Sequence, residues 1–585
     1  MPKQCPSREK FRDISAIDAR LIELEQEKQE LIALREELHK SKPTPPVSDS
    51  FSPEQKITIF RSLFRGRTDI FANRWQNRQG RSGYSVACNN EWVKDICNKP
   101  RIKCLDCNHR QFSELNDQVI YRHLAGQQIV GLYPLLHDNT CYLLAADFDK
   151  GSWQDEVKAV SRACTEYGVP HAVEISRSGN GAHLWIFFDN KVPANEARLL
   201  GFGLLDKAME TCSNLSFDSY DRLFPNQDIL PEGGFGNLIA LPLQREARQV
   251  GNSSFVDAEL NGIEDQWQHL SQIKKLSRQE INKLLSQISP DASLISEQDV
   301  TDTRPPWEVT AKPRPLVLDN PPQQITITLA NHIYFEMKTL PSALSARLRR
   351  LASFSNPVFF KTQALRFSTH GIPRFISCAR IQRGYLALPR GCLDDALALL
   401  KENNIDVQID DKRELGTKVS CMKPLLTLRK NQQAAVKEMS KHDAGILHAP
   451  TAFGKTVTAI GMIAKRNTNT LILVHSRQLL DQWQERLRSF LPEAEIGVIR
   501  GGKKKPTGII DIATYQSLIN KKDNTISIIV QDYGHVIVDE CHHVSAPRFE
   551  MVLNEVRAKY VLGLTATPER QDGHQKIIFM AAGPI

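Results

Sequence analysis

Asp147 and Asp149, in the run LLAADFDKG, are the first residues in this chain whose type and spacing imply chemistry. Side chains alternate faces along an extended strand, so both carboxylates leave one face while Phe148 turns into the core. Adjacent carboxylates repel unless a cation lies between them. Hard divalent ions such as Mg²⁺ or Mn²⁺ take carboxylate oxygens and keep further positions for water or phosphate. Downstream, SRSGNGAHLWIFF sets a glycine-rich turn before His183 and an apolar strand. The backbone N–H groups of such a turn, with the imidazole, suit a triphosphate beside the metal.

A second set of residues carries different chemistry. Cys88, Cys97, Cys104 and Cys107 are spaced C-x8-C-x6-C-x2-C, and the last pair forms the knuckle KCLDCNHR. Four thiolates at such spacing suit a closed tetrahedral site, most simply structural Zn²⁺, with His109 as an alternative ligand. Twelve cysteines with four of them clustered fit a metal site in a reducing compartment better than a disulfide framework.

The third set reads as a nucleotide-driven motor. LHAPTAFGKT, residues 447–456, sets Gly454, Lys455 and Thr456 between an apolar strand and a helix. In such a loop backbone N–H groups cradle phosphates, the lysine neutralises the terminal charges, and the threonine hydroxyl reaches Mg²⁺. Ala449 stands where the strict motif has glycine. GHVIVDECHH then delivers Asp539 to Mg²⁺ and Glu540 to an attacking water. In the superfamily 2 helicases that these motifs resemble, Gln432 in LRKNQQAAV, beside Arg429, would be the ATP-binding contact to adenine, and Thr565 and Thr567 in GLTATPER would couple ATP to movement.

These motifs, taken in order, resemble known families. YPLL, LAADFD, SRSGNGAHLWIFF, DRLFPNQD and LPLQ resemble the primase module of TOTE conflict-system primase-helicases, in which an archaeo-eukaryotic primase is fused to a superfamily 2 helicase. DECH and GLTATPER, with VHSRQLLDQW and ATYQSL, resemble the DEAH-like helicases and translocases. The resemblance implies two-metal nucleotidyl transfer by Asp147, Asp149 and a third carboxylate. Asp221 is the choice for it, and Asp218 and Asp228 compete. Ser178 and His183 would contact the incoming triphosphate, with Arg177, Arg222 and Arg248 as basic candidates nearby. Implied cofactors are Mg²⁺ or Mn²⁺, structural Zn²⁺ and ATP; implied partners are DNA and nucleoside triphosphates.

Positioning these groups takes several domains, which a chain of 585 residues can hold. The expected class is multidomain α/β. Residues 1–53 should form a helix, with a coiled-coil seam over 13–40 able to self-associate, and a Pro-rich linker. Residues 54–260 should be an α+β primase domain with its zinc knuckle, and 261–322 a polar connector carrying one or two short helices. A small α/β module over 323–425 and one P-loop RecA-like lobe over 426–585 should follow. ITITLANHIYFEM reads as a strand, SALSARLRRLASF and CLDDALALLKENN as helices, and Arg347, Arg349 and Arg350 as a solvated helix face. No second RecA-like lobe with its arginine finger is recognisable before Ile585, so weak ATP turnover by this chain alone is expected. Apolar residues make up 41% and charged residues 24%, with net charge +8 and no run of membrane-spanning length, which predicts a cytoplasmic protein with no membrane partner.

Overall fold

The computed structural model describes residues 25, 26, 51–288, 318 and 321–585, apart from 78, 100, 150, 151, 213, 214, 216–222, 368, 370, 420–423, 502, 521, 522, 544–546 and 568–572. The seam expected over 13–40 lies almost wholly outside them, as do Asp218, Asp221 and Arg222.

The first unit is built on two sheets. β1 (Ala72–Gln76), β2 (Ser82–Val86), β3 (Val130–Leu132) and β8 (Ile239–Ala240) form an antiparallel sheet in the order β2-β1-β3-β8. The other sheet has the order β7-β4-β6-β5-β9, also antiparallel, from β4 (Thr140–Phe148), β5 (Ala172–Ile175), β6 (Ala182–Pro193), β7 (Leu223–Phe224) and β9 (Ser254–Val256). Both faces of the second sheet are buried, which explains why β4 and β6 read as apolar runs rather than as alternating ones. One face packs Leu144, Ala146, Phe148, Leu184 and Ile186 against helices Trp153–Glu166 and Ala194–Thr211. The other packs Leu143, Ala145, Trp185 and Phe187 toward the first sheet and helix Pro53–Leu63. Phe64 seats its ring edge-on at 5.0 Å from Trp185 and 5.3 Å from Phe187. Full burial of each such ring contributes about 1.5–3 kcal/mol, so this aromatic cluster is a main tie between the layers.

The unit continues past residue 260. Helix Gln266–Gln272, capped by Asp265, sends Trp267 and Leu270 into the inter-sheet core. Helix Arg278–Gln287, opened by a Ser277–Glu280 capping box, sends Ile281 and Leu284 into the helix-side core. What reads as the start of a connector is thus a packed part of the fold. Its polar residues are the outer faces of two amphipathic helices.

A middle module follows, with sheet order β14-β15-β11-β10-β16. Its strands are β10 (Gln324–Leu329), β11 (Ile333–Glu336), β14 (Arg380–Gln382), β15 (Tyr385–Leu388) and β16 (Asp406–Asp411), and β12 (Ser353–Ser355) pairs with β13 (Phe375–Ser377) beside it. ITITLANHIYFEM is therefore a hairpin rather than one strand. It folds back at residues 330–332 so that Ile327 lies opposite Phe335 and both enter the same core.

In the C-terminal lobe the order is β17-β23-β22-β18-β21-β19-β20. It comprises β17 (Ala444–His448), β18 (Thr470–Val474), β19 (Ile496–Arg500), β20 (Lys503–Lys505), β21 (Ile510–Thr514), β22 (His535–Val538) and β23 (Tyr560–Thr565). All pairings are parallel except that of β20 at the edge. Among the described residues no helix is long and apolar enough to cross a membrane.

Buried charge joins the first unit to the module. Arg198 Nε lies 3.1 Å from Asp228 Oδ1, and Arg374 of the module donates to Asp228 Oδ2 at 3.1 and 3.2 Å. Gln363 reaches the same Oδ2 at 3.1 Å, while Phe202, Phe359 and Phe360 surround the Arg374 guanidinium. Asp228, a competitor for the third metal carboxylate on sequence grounds, is committed to this contact. Arg349 and Arg350 are buried as well, on the Leu215 carbonyl and on Asp206 (2.7 Å), rather than forming a solvated face. On the far side, buried Arg390 donates to the Ala558 and Val556 carbonyls of the lobe. Burial by itself would raise the Asp228 carboxyl, but Arg374 and then Arg198 outweigh it and hold its pKa below the ordinary range. Its contribution is thus present at neutral pH and is lost as the pH falls through that depressed value. Asp228→Ala leaves two guanidinium groups without their carboxylate, and a stability loss of about 3–5 kcal/mol is expected in urea unfolding at pH 7. An unchanged midpoint would refute the assignment.

Candidate functional site

The register of β4, β6 and β5 builds the first site. Asp147 lies opposite His183, and His183 lies opposite Glu174, so three polar residues form a row across three strands. Each sits where its neighbours on the strand are core residues, which makes the row a polar stripe in an apolar face. Glu174 is only 1% exposed. Its Oε2 is 2.8 Å from His183 Nδ1 and accepts from Trp185 Nε1 at 3.2 Å, while the Ser253 hydroxyl donates to its Oε1 at 3.3 Å. With Nδ1 engaged, His183 turns Nε2 toward Asp147, 3.6 Å from Oδ1. Burial would lower the His183 pKa, yet the Glu174 charge and hydrogen bond, followed by Asp147, leave it raised.

The glycine-rich turn closes over the end of β4. Ser176 N donates to Gly181 O at 2.9 Å, Gly179 N to Ser176 O at 2.9 Å, and Asn180 N to Ser178 Oγ at 3.3 Å. A β-carbon on Gly181 would stand 2.4 Å from the Phe148 carbonyl, so only glycine lets the turn pass this close to Asp147 and Asp149. Asp147 is half-buried and Asp149 exposed at the strand end. Ser178 is exposed beside them, and Arg177 is half-buried, its pKa pulled down by burial and then by the like charge of Arg74 on β1. Arg248 lies elsewhere, donating to the Leu124 carbonyl. The third-motif segment leads into β7, whose Leu223 pairs with Ala146, the residue before Asp147.

The four expected zinc ligands line one small cavity together with His109, Glu91, Lys99 and Phe112. Backbone N–H groups of Lys99 and Trp92 point to the Cys97 sulfur and hold its thiol below the ordinary pKa, and Gln111 N lies 3.4 Å from Cys88 Sγ. Such N–H to sulfur contacts are what a metal-bound thiolate needs. The donor set therefore fits Zn²⁺. Among the described residues, however, no three Cys, His, Asp or Glu side chains converge closely enough to hold an ion as they stand.

In the C-terminal lobe the phosphate loop follows β17, Thr565 ends β23, and Asp539 and Glu540 follow β22; these three strands are adjacent. Gly454 adopts φ of +88° at the start of helix Lys455–Arg466. Lys455 is buried and its Nζ donates to the Ala449 carbonyl at 3.0 Å. Gln432 spends its carboxamide on the protein itself: Oε1 accepts from Arg429 N at 2.9 Å and Nε2 donates to Phe453 O at 2.8 Å. It thus braces the loop. Asp539 is buried and its carboxyl is raised, by burial first and then also by Glu540, although Trp483 Nε1 donates to it at 2.7 Å. Glu540 sits at φ +51°, a left-handed conformation uncommon for a non-glycine residue. From its Oε2 a path runs to His542 Nδ1 (3.3 Å), on to Thr565 Oγ1 (3.2 Å), and from that hydroxyl to the Thr567 carbonyl (3.0 Å).

Comparison with known proteins agrees with this division. Residues 55–284 match the family described as the TOTE conflict system archaeo-eukaryotic primase domain, and residues 425–570 match the type III restriction enzyme res subunit. The chain joins a TOTE-type primase domain to a helicase domain. Putative helicase 109L of Invertebrate iridescent virus 3 is 33% identical over 199 residues, covering 32% of this chain and 59% of the viral protein. The DNA 3'-5' translocase XPB2 of Sulfurisphaera tokodaii is 34% identical over 164 residues, covering 28% and 36% respectively. The chain thus spans less than two thirds of the length of either curated relative. Among solved structures, the UvsW helicase from bacteriophage T4 aligns with a TM-score of 0.34 at 15% identity, over 45% of this chain and 99% of that one.

Two residues of these domains escape a motif reading. Glu174 of the primase domain is a lone charge in the apolar strand AVEI, and only that anomaly signals it. Trp483 of the helicase domain looks like an ordinary core residue of an amphipathic helix until its indole is found on Asp539. His183 is expected to stay protonated to higher pH than a free histidine, because Glu174 favours the charged ring. Glu174→Gln should bring that titration down, read from the His183 ring-proton NMR shift. A titration that does not move would sink the pairing.

Proposed function

We propose that residues 55–284 carry out template-directed nucleotidyl transfer and that the helicase domain drives ATP-dependent movement on DNA. The row Asp147–His183–Glu174, with Asp149 at the open end of the same strand and the glycine turn closed against it, carries the first reading. Asp147 and Asp149, with Asp221 as the proposed third carboxylate, would hold Mg²⁺ or Mn²⁺. When bound, such ions activate a 3′-hydroxyl and stabilise the leaving pyrophosphate. His183, charged and fixed through Nδ1, donates from Nε2 to an oxygen of the incoming triphosphate. Ser178 and Arg177 add donors from the same turn. Trp185 and Ser253 keep Glu174 in place, so the ring need not reorganise when the nucleotide arrives.

In the helicase domain Lys455 leaves the Ala449 carbonyl to meet the ATP phosphates. Thr456 and Asp539 would hold Mg²⁺, and Glu540 orients the attacking water. The His542–Thr565–Thr567 path then links that carboxylate to the end of β23, where movement on the strand would be coupled. The XPB2 relative is named as a DNA 3'-5' translocase, which favours DNA as the track. The cysteine cavity would hold a structural Zn²⁺ through Cys88, Cys97, Cys104 and Cys107.

Incorporation of labelled nucleotide on a primed template should fall by about 10³-fold or more in Asp147→Ala/Asp149→Ala, while Lys455→Ala should abolish DNA-stimulated ATP hydrolysis and leave incorporation intact. If the double variant incorporates like the parent, the Asp147–Asp149 reading fails; a parent that binds the template but incorporates nothing would be a nucleic-acid-binding loader. For zinc, elemental analysis should find one equivalent per chain, lost in Cys104→Ser/Cys107→Ser; a metal-free parent protein would overturn that site.

A further inference from the structure

The β1–β2 hairpin and the cysteine element beside it form a surface with no part in the chemistry above. Trp75 and Gly83 are direct cross-strand partners, and the indole lies across the glycine: a β-carbon there would meet the ring at 2.9 and 3.2 Å. One indole face is thus pressed on backbone while the side chain remains 46% exposed. Ser85, on the same face of β2, donates to Glu91 at 3.2 Å and ties the hairpin to the cysteine element. There Trp92 is 69% exposed, with the Lys99 ammonium 5.8 Å from its ring centre. Residues 72–110 hold eight Lys and Arg against three Asp and Glu, and one of those acids, Glu91, is already paired with Lys99 at 2.7 Å. Two exposed indoles on a basic surface, one of them backed by glycine, match what a flexible polyanion with flat bases would recognise. Arg74, one residue before Trp75, points from the opposite face of β1, where it adds its charge to Arg177 at the glycine turn. The same strand therefore borders both the platform and the proposed nucleotide site.

We propose that this face binds a single strand of nucleic acid, with a base stacked on the free face of Trp75 and phosphates on the surrounding basic side chains, and that the strand leads past Arg74 to the Asp147 site. The second half of the proposal rests on the nucleotidyl-transfer reading, whereas strand binding does not. Nothing in a duplex presents an unstacked base, so an indole platform selects single strands.

The full-length chain would be cross-linked to a single-stranded oligodeoxythymidylate carrying 5-iodouracil, and the site mapped by mass spectrometry. The expected adduct is on Trp75. Trp75→Leu should remove it and weaken binding of the unmodified oligonucleotide by about five- to fifty-fold, Trp75→Phe should recover most of the affinity, and blunt duplex should compete poorly. Adducts confined to the helicase domain, with Trp75→Leu binding as the parent does, would overturn the proposal. Thermal unfolding of each variant checks that the hairpin is intact; if Leu unfolds it, the Phe variant and the parent adduct still decide. The Asp147→Ala/Asp149→Ala chain is measured alongside. Loss of incorporation there with an unchanged Trp75 adduct keeps strand binding apart from the chemistry, and an intact polymerase without the adduct rejects the platform alone.

Discussion

The register between β4 and β6 is the constraint from which the primase site follows. A strand has a side-chain period of two, so a slip of one residue would send Asp147 into the helix-side core and Phe148 into the crevice. The pairing of Ala146 with Leu184 and of Phe148 with Ala182 prevents this, because the helix-side face is packed with apolar side chains and offers a carboxylate no partner. Apolar burial thus specifies the position of charged groups that contribute little to stability themselves. Asp147 remains half-exposed at the end of that register.

Glu174 shows how such a site is held in place. Three side chains meet its carboxylate, those of His183, Trp185 and Ser253, and it stabilises the proton on that histidine. The helicase domain uses the opposite arrangement. Asp539 is raised by burial, and among the described residues its carboxylate accepts from the Trp483 indole and the Glu540 backbone. In both domains the motif carboxylate sits at the end of a buried strand, beside a neighbour that the motif does not contain.

The middle module stands between the two domains and is held by buried guanidinium groups on both sides. Arg374 meets Asp228 of the primase domain, and Arg390 meets carbonyls of the helicase domain. Asp228 lies four residues beyond the end of β7, the strand that flanks Asp147. Removing one partner of such a contact leaves an uncompensated charge, so single substitutions here are costly even though apolar packing of similar size could hold the units as well.

Much of this was legible without coordinates. The phosphate loop, the Asp539–Glu540 pair, the Asp147–Asp149 strand and the glycine turn depend on local spacing, and local spacing is what a sequence displays directly. The family resemblance has the same origin and is matched over residues 55–284 and 425–570. The hairpin at 330–332, the packing of the helices after residue 260 into the first unit, and the burial of Arg349 and Arg350 were not legible, because each depends on which distant surface the segment meets. So do the roles of Asp228 and Glu174, since a carboxylate's function is set by the charges around it. Motif chemistry is therefore determined by the order of residues along the chain. Which acid binds a metal, which orients a histidine and which clamps two domains together is decided only when the tertiary structure supplies its neighbours.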